Sequence, residues 1–358
     1  MEKLVTMRPT SGFWRDKRVL LTGHTGFKGS WLALWLERMG ARVTGLALAP
    51  QTQPSLFEAA QVAAGLSSHL CDVRDAAAVA RMVAAAAPEI VLHLAAQPLV
   101  RASYAAPLDT MATNIMGTAH LLEALRTVAT VRVAVMVTTD KVYQNLEQIY
   151  PYREGDALGG HDPYSASKAA SELVIASYRA AFLADRGVAV ASARAGNVIG
   201  GGDWSQDRLL PDAIRAWSSG QTLVLRSPQA TRPWQHVLEP LAGYLCLAER
   251  LWDRPELAAA FNFGPEPHEA AAVEHVIRLA ARAFGGGSVD IHEGAQGPHE
   301  AGRLALETAK VRHVLGVIPH WGLDAAVERS VRWYRRFVDG EDARALCAAD
   351  IDAFEAHA

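Results

Sequence analysis

Short apolar runs recur through the first half of the chain, with longer apolar stretches of helical spacing between them. The first run, Lys17-Arg18-Val19-Leu20-Leu21-Thr22, begins basic and turns apolar, the profile of a strand entering a core. Residues 42–48, 67–73, 90–95, 131–137 and 188–193 follow as the second to sixth strands. Residues 30–37, 76–87, 110–128 and 164–183 read as helices. This alternation is the β-α-β signature of an α/β fold built on a doubly wound parallel sheet, Rossmann-like in class. After Gly196 the pattern changes. Residues 200–204 form a glycine-rich loop, and prolines and glycines punctuate 263–267 and 285–298.

The turn between the first strand and first helix is Gly23-His24-Thr25-Gly26-Phe27-Lys28-Gly29. Glycines there allow tight backbone geometry and close approach of a pyrophosphate to a helix N-terminus. The spacing is Gly-x-x-Gly-x-x-Gly rather than Gly-x-Gly-x-x-Gly, so its force comes from the strand–turn–helix order around it. Gly23, Gly26, Phe27 and Gly29 are the expected cofactor contacts. Residues 1–195 are then expected to be the nucleotide-binding domain. Residues 196–358 are expected to be mainly a smaller substrate-binding lobe, with segments crossing back. The acid usually found at the end of the second strand to hold an adenosine ribose is missing, the residues being Gly45-Leu46-Ala47-Leu48-Ala49-Pro50. No arginine stands there for a 2′-phosphate either, so the expected cofactor is NAD, weakly held. Asp72 and Val73, at the next strand end, are candidates for the adenine edge.

Two strings carry candidate chemistry. Tyr164 and Lys168 are four residues apart in an apolar, Ala-rich helical stretch, which places phenol and ammonium on one face. A cation there favours phenolate, so a tyrosine of ordinary pKa about 10 would work as a base nearer neutrality. Thr139-Asp140-Lys141 supplies a hydroxyl, a carboxylic acid and an amine at the end of the 131–137 strand. Asn114 either bridges a catalytic helix to the site or is a buried amide satisfied within its own helix. Ala95 and Ala96, within 93–97, either line the nicotinamide side of the sheet edge or simply end a buried strand.

Composition narrows the class. The 358 residues are half hydrophobic and carry a formal charge of only −3, which argues against a nucleic-acid surface. Cys71, Cys246 and Cys347 are widely spaced, so neither a disulfide framework nor a zinc site is indicated, and no histidine spacing points to a metal. No apolar run approaches the ~20 residues of a membrane span, and residues 1–13 lack a hydrophobic signal core. The expectation is a cytoplasmic protein with no metal, no nucleic-acid partner and no membrane anchor.

The glycine turn, Thr139-Asp140-Lys141, the string from Arg194 to Trp204, the string from Arg232 to Pro240, and Pro298-His299-Glu300-Ala301 together resemble the extended short-chain dehydrogenase/reductase superfamily. Within it the chain is similar to the nucleotide-sugar 4,6-dehydratases over nearly its whole length, and to their CDP-glucose branch most of all. The resemblance implies an internal redox cycle on a nucleotide sugar, CDP-glucose being favoured, with NAD regenerated. Tyr164, assisted by Lys168 and Thr139, takes the 4-hydroxyl proton while hydride leaves C4. A base removes the C5 proton, Asp140 protonates the departing 6-hydroxyl, and hydride returns to C6. The dTDP-glucose members carry Asp-Glu where this chain has Asp140-Lys141, which leaves Lys141 as the C5 base, as a cation stabilising the enolate, or as an exposed strand-end lysine. Arg208, Arg232 and Asn197 suit the substrate diphosphate, since guanidinium pairs with it in a forked geometry. His299 and Trp234 are either neighbours of the nucleotide or packing residues, and Lys28 is either a phosphate contact or a solvated loop cation. The resemblance also implies a homodimer paired through a four-helix interface formed by 110–128 and 164–183.

Overall fold

Seven parallel strands form one sheet in the computed structural model, which describes residues 8–225, 227–291 and 302–356. They are β1 (Arg18–Thr22), β2 (Arg42–Ala47), β3 (Ser67–Leu70), β4 (Ile90–His93), β5 (Val133–Val137), β6 (Ala189–Ala195) and β7 (Ala260–Phe263). Their spatial order is β7-β6-β5-β4-β1-β2-β3, every neighbouring pair parallel. The chain winds outward from β1 to β3, then crosses back to β4 and outward again. The order reverses between β1 and β4, where Thr22 pairs with His93, and ligands of such sheets bind in the crevice beyond that point.

Helices cover both faces, which is why central strands such as β4 and β5 read as nearly unbroken apolar runs, while the edge strand β3 is polar and exposed. Side chains alternate along each strand. Val19, Leu21, Val133, Val135 and Val137 pack on one side with α1 (Phe27–Arg38), α5 (Leu238–Asp253) and α6 (Leu323–Val338). Leu20, Ala134 and Met136 pack on the other with α2 (Ala76–Ala86), α3 (Gly117–Leu125) and α4 (Pro163–Tyr178). α1 is apolar nearly all round because it is enclosed. Its Trp35 donates from Nε1 to Glu355 Oε1 at 2.8 Å and meets Phe354 edge-on, both from α7 (Ala343–Ala356).

Three local departures from the periodicity have identifiable causes. The third strand stops at Leu70 instead of reaching 73, because Asp72 folds onto Arg74 and Asp75 caps α2 by accepting from Ala78 N at 2.9 Å. The single helix expected over 110–128 starts earlier, at Pro107, and contains a widened π turn, Ala112–Met116. Two hydroxyls, Thr118 Oγ and Ser171 Oγ, take the Asn114 carbonyl at 2.7 and 2.9 Å, and such bulges gather at functional sites. The stretch over 164–183 likewise ends in a π turn, Arg179–Leu183. From beyond residue 196, β7 completes the sheet edge and α5 packs under it. Among the described residues no helix is long and apolar enough to cross a membrane, and no group of three His, Cys, Asp or Glu side chains is placed to hold a metal ion.

Candidate active site

The glycine turn lies at the C-terminal end of β1, against the loop after β4. Gly23, with φ +77°, sits so close to that loop that a Cβ would lie 2.7 Å from Ala95 N, and a Cβ on Gly29 would lie 2.0 Å from Gly23 O. Gly26 then opens α1, leaving the first N–H groups of that helix directed outward. This is a cradle only glycine can form, beside the N-terminus of a twelve-residue helix, and it suits a pyrophosphate. Phe27 is half-buried, its ring beside Gly200. Ala95 and Ala96 are half-buried next to the turn, and Thr22 Oγ1 accepts from Leu94 N and Ala95 N at 3.1 Å. His93 is satisfied on both ring nitrogens by Thr22 and Thr118, and burial, with Lys168 second, pushes it down to about 3. At the end of β2 the ribose acid is absent, and the ring of His24 packs against Gly45 with Nε2 2.8 Å from Ser68 Oγ. Asp72 is part-exposed in its pairing with Arg74, while Val73 is buried against Gly117.

β5 delivers Thr139, Asp140 and Lys141 as a short 3-10 turn, Asp140–Val142, just past its last residue. Thr139 Oγ1 donates to Asp140 Oδ1 at 2.9 Å and accepts from Lys141 N at 3.3 Å. Asp140 is 1% exposed, and its Oδ2 has no partner among the described residues. Lys141 Nζ stands 3.7 Å from Asp140 Oδ1 with its side chain 28% exposed. Facing this turn, α4 begins at Asp162, which accepts from Ser165 N and so caps the helix that carries Tyr164 and Lys168. Lys168 Nζ donates to Val137 O at 3.3 Å. Asn114 ties the loop after β4 to α4: Oδ1 accepts from Gln97 N, and Nδ2 donates to Gln97 O and Ser167 Oγ.

The expected lowering of the Tyr164 phenol is corrected here. Burial pushes Tyr164 up to about 12, with the Thr139 hydrogen bond working against it, and Lys168 is not among its main influences. Burial also pushes Lys168 down to about 8, opposed by Glu172. Desolvation outweighs the pairing because both groups are enclosed and the ammonium is directed to the Val137 carbonyl.

On the far wall, Asn197 Oδ1 is buried without a partner among the described residues. Arg208 is part-exposed, its Nε 3.9 Å from buried Asp203. Arg232 is buried and donates from Nη1 to Thr231 O and Gly302 O, and Trp234 donates to Ala271 O at 3.0 Å in a packed position. His299 lies outside the described residues. Lys28 is half-buried rather than a solvated loop cation; burial, then Arg208 and Lys168, bring it down to about 7. Sequence reasoning passed over Glu172 and Arg194, a buried ion pair at 2.8 Å behind Lys168. The available signal was an acid at i+4 from Lys168 on an apolar helix.

A profile of the NAD dependent epimerase/dehydratase family matches residues 19–264, from β1 through β7. The chain belongs to this family. As an NAD-dependent epimerase/dehydratase, it uses NAD, and the glycine cradle fits that cofactor. It is 46% identical over 336 residues to a CDP-glucose 4,6-dehydratase of Salmonella typhimurium, covering 92% of this chain and 94% of that one. A solved putative epimerase from Burkholderia cenocepacia is 27% identical, with TM-score 0.75 over 90% of this chain and 99% of its own. MoeE5 in complex with UDP-glucose and NAD, at 23% identity and TM-score 0.76 over 89% and 99%, shares the fold.

Proposed function

We propose that this epimerase/dehydratase family member is a CDP-glucose 4,6-dehydratase, which releases water from CDP-D-glucose to leave CDP-4-keto-6-deoxy-D-glucose. The near full-length 46% identity to the Salmonella enzyme carries the reading. Bound NAD would supply a reversible hydride acceptor, regenerated within each turnover. Gly23, Gly26, Phe27, Gly29, Ala95 and Ala96 would hold it, with Asp72 and Val73 toward the adenine and Asn114, Tyr164 and Lys168 at the nicotinamide end. Tyr164 takes the 4-hydroxyl proton, with Thr139 bonding to the phenol and Lys168 offsetting the phenolate charge. Ketone formation at C4 acidifies the C5 proton. Lys141, whose Nζ lies 3.7 Å from Asp140 Oδ1, acts at C5 either as the base that takes this proton or as a cation that stabilises the enolate while water takes it. Asp140 serves in its carboxylic acid form: its buried Oδ2 has no partner among the described residues, and it delivers a proton to the departing 6-hydroxyl. The C6–O bond breaks, water leaves, and hydride and proton complete C6 and C5.

The substrate lobe is taken from residues after 196, with Asn197, Arg208, Arg232 and His299 toward the diphosphate and nucleotide. Incubation with CDP-, dTDP-, UDP- and GDP-sugars, read by the alkali-sensitive 4-keto chromophore, should give signal with CDP-glucose alone. A signal confined to another nucleotide would move the enzyme to a sibling activity. Deuterium placed at substrate C4 is expected at C6 of the product with no net NADH. Label released in free reduced cofactor would instead make this a net dehydrogenase.

A cytoplasmic homodimer completes the reading. On α4 and the helical run before α3, Leu108 (83%), Met116 (49%) and Leu173 (64%) stand exposed, apolar side chains that a second copy would cover. Sedimentation should give twice the 38.5 kDa chain mass. A fully active monomer at dilute concentration would remove the dimer.

A further inference from the structure

Behind the catalytic turn lies a buried carboxylate with no part in the proposed proton transfers. Glu172 follows Lys168 by one turn of α4, and both side chains are buried. Its Oε1 accepts from Thr138 Oγ1 at 2.6 Å, and its Oε2 accepts from Ser192 Oγ at 2.7 Å and Arg194 Nη2 at 2.8 Å. Thr138 immediately precedes Thr139, and Ser192 and Arg194 lie on β6. One side chain therefore clamps the helix of Tyr164 and Lys168 to the ends of the two strands beneath it.

The clamp extends toward the far wall. Arg194 Nη1 donates to Tyr143 Oη at 3.0 Å, and that hydroxyl donates to Asn262 Oδ1 at 2.6 Å. Asn262 Nδ2 in turn donates to Tyr152 O and Glu307 O at 2.9 and 3.2 Å. Buried ion pairs are costly to desolvate, and apolar residues of the same volume would serve stability at least as well. A satisfied polar network instead holds its members in one geometry.

We propose that Glu172, with Arg194 as counter-ion, is a positioning residue that sets the Tyr164–Lys168 turn against the Thr139–Lys141 turn. The proposal rests on the Tyr164–Lys168 assignment above. Among the described residues the charged and titratable groups about Lys168 are Glu172 and Tyr164 on its own helix, His93 from β4, Lys28 from α1 and Asp140 on the turn that α4 faces. Of these, Glu172 is the anion that opposes the burial holding Lys168 near 8. An ammonium needed to offset phenolate charge is lost as pH rises through its pKa. Removing the anion lowers that pKa, so the alkaline limb of activity moves to lower pH.

The experiment is the pH profile of single-turnover C4 oxidation, read as bound NADH absorbance in the full-length enzyme. Glu172→Gln is expected to shift the alkaline limb down by on the order of one pH unit, with about a tenfold lower rate on that limb. Glu172→Asp keeps the charge but shortens the clamp, so it should retain the limb and lose rate. The double variant Glu172→Gln/Arg194→Gln removes both buried charges, leaves neither unpaired and should still show the shift. A folded double variant with the native limb and rate would overturn the proposal. In Lys168→Met the limb should disappear. Persistence of a native limb there would overturn the Tyr164–Lys168 assignment itself, which separates the two failures.

Discussion

Tyr164→Phe is expected to lower kcat by about 10³-fold or more, within the 10²–10⁴ range of a positioned proton acceptor and the additional loss of the Thr139 contact. The ring is 7% exposed, so phenylalanine fills the same space and removes a single oxygen. Melting temperature and NAD titration should therefore stay close to native. The pH logic sharpens the test. Burial holds the phenol near 12 without ligands, so at neutral pH almost all of it is protonated. The Lys168 ammonium is turned to the Val137 carbonyl. The phenolate is therefore expected to become accessible when binding of oxidised nicotinamide and substrate brings positive charge, that of Lys168 included, beside the phenol. Proton uptake should accordingly depend on bound NAD, and a variant without the hydroxyl should show neither C4 oxidation nor a bound-NADH signal. Near-native turnover in Tyr164→Phe would assign the first base elsewhere.

Lys141→Ala should stop the reaction at a different point. C4 oxidation needs Tyr164, Lys168 and Thr139, all untouched, so a burst of bound NADH absorbance should appear. Water loss needs the C5 carbanion to form or be stabilised, so overall turnover should fall by about 10²–10³-fold. The side chain is partly exposed and its described contact is the 3.7 Å approach to Asp140, so the substitution should leave the fold intact. Solvent deuterium at C5 divides the two roles. Exchange that vanishes while oxidation stays normal marks Lys141 as the base, whereas slowed but persistent exchange marks the enolate-stabilising cation. Unimpaired turnover would remove both.

Much of this was legible before folding. Local order along the chain is set by periodicity and turn chemistry, which are short-range. Runs such as 131–137 must be strands buried on both faces, Gly23 and Gly29 stand where a Cβ has no room, and Tyr164 and Lys168 share a helical face by spacing alone. The Thr139-Asp140-Lys141 turn was likewise visible as polar chemistry at a strand end. Other properties depend on partners far away in sequence. No pattern near residue 260 announces that it completes a sheet begun at residue 18, because strand order is a choice among tertiary pairings. The π turn at Ala112–Met116 depends on the Ser171 hydroxyl, 57 residues on, taking the Asn114 carbonyl. Tyr164 and Lys168 pointed by spacing to a lowered phenol pKa, yet enclosure reversed the sign, since desolvation is a property of everything packed around a group. For the same reason the role of Glu172 is not legible in the sequence, since it depends on Thr138, Ser192 and Arg194 closing around it. Spacing places side chains on a face, but burial and the charges that meet there come from chain segments brought together by the fold.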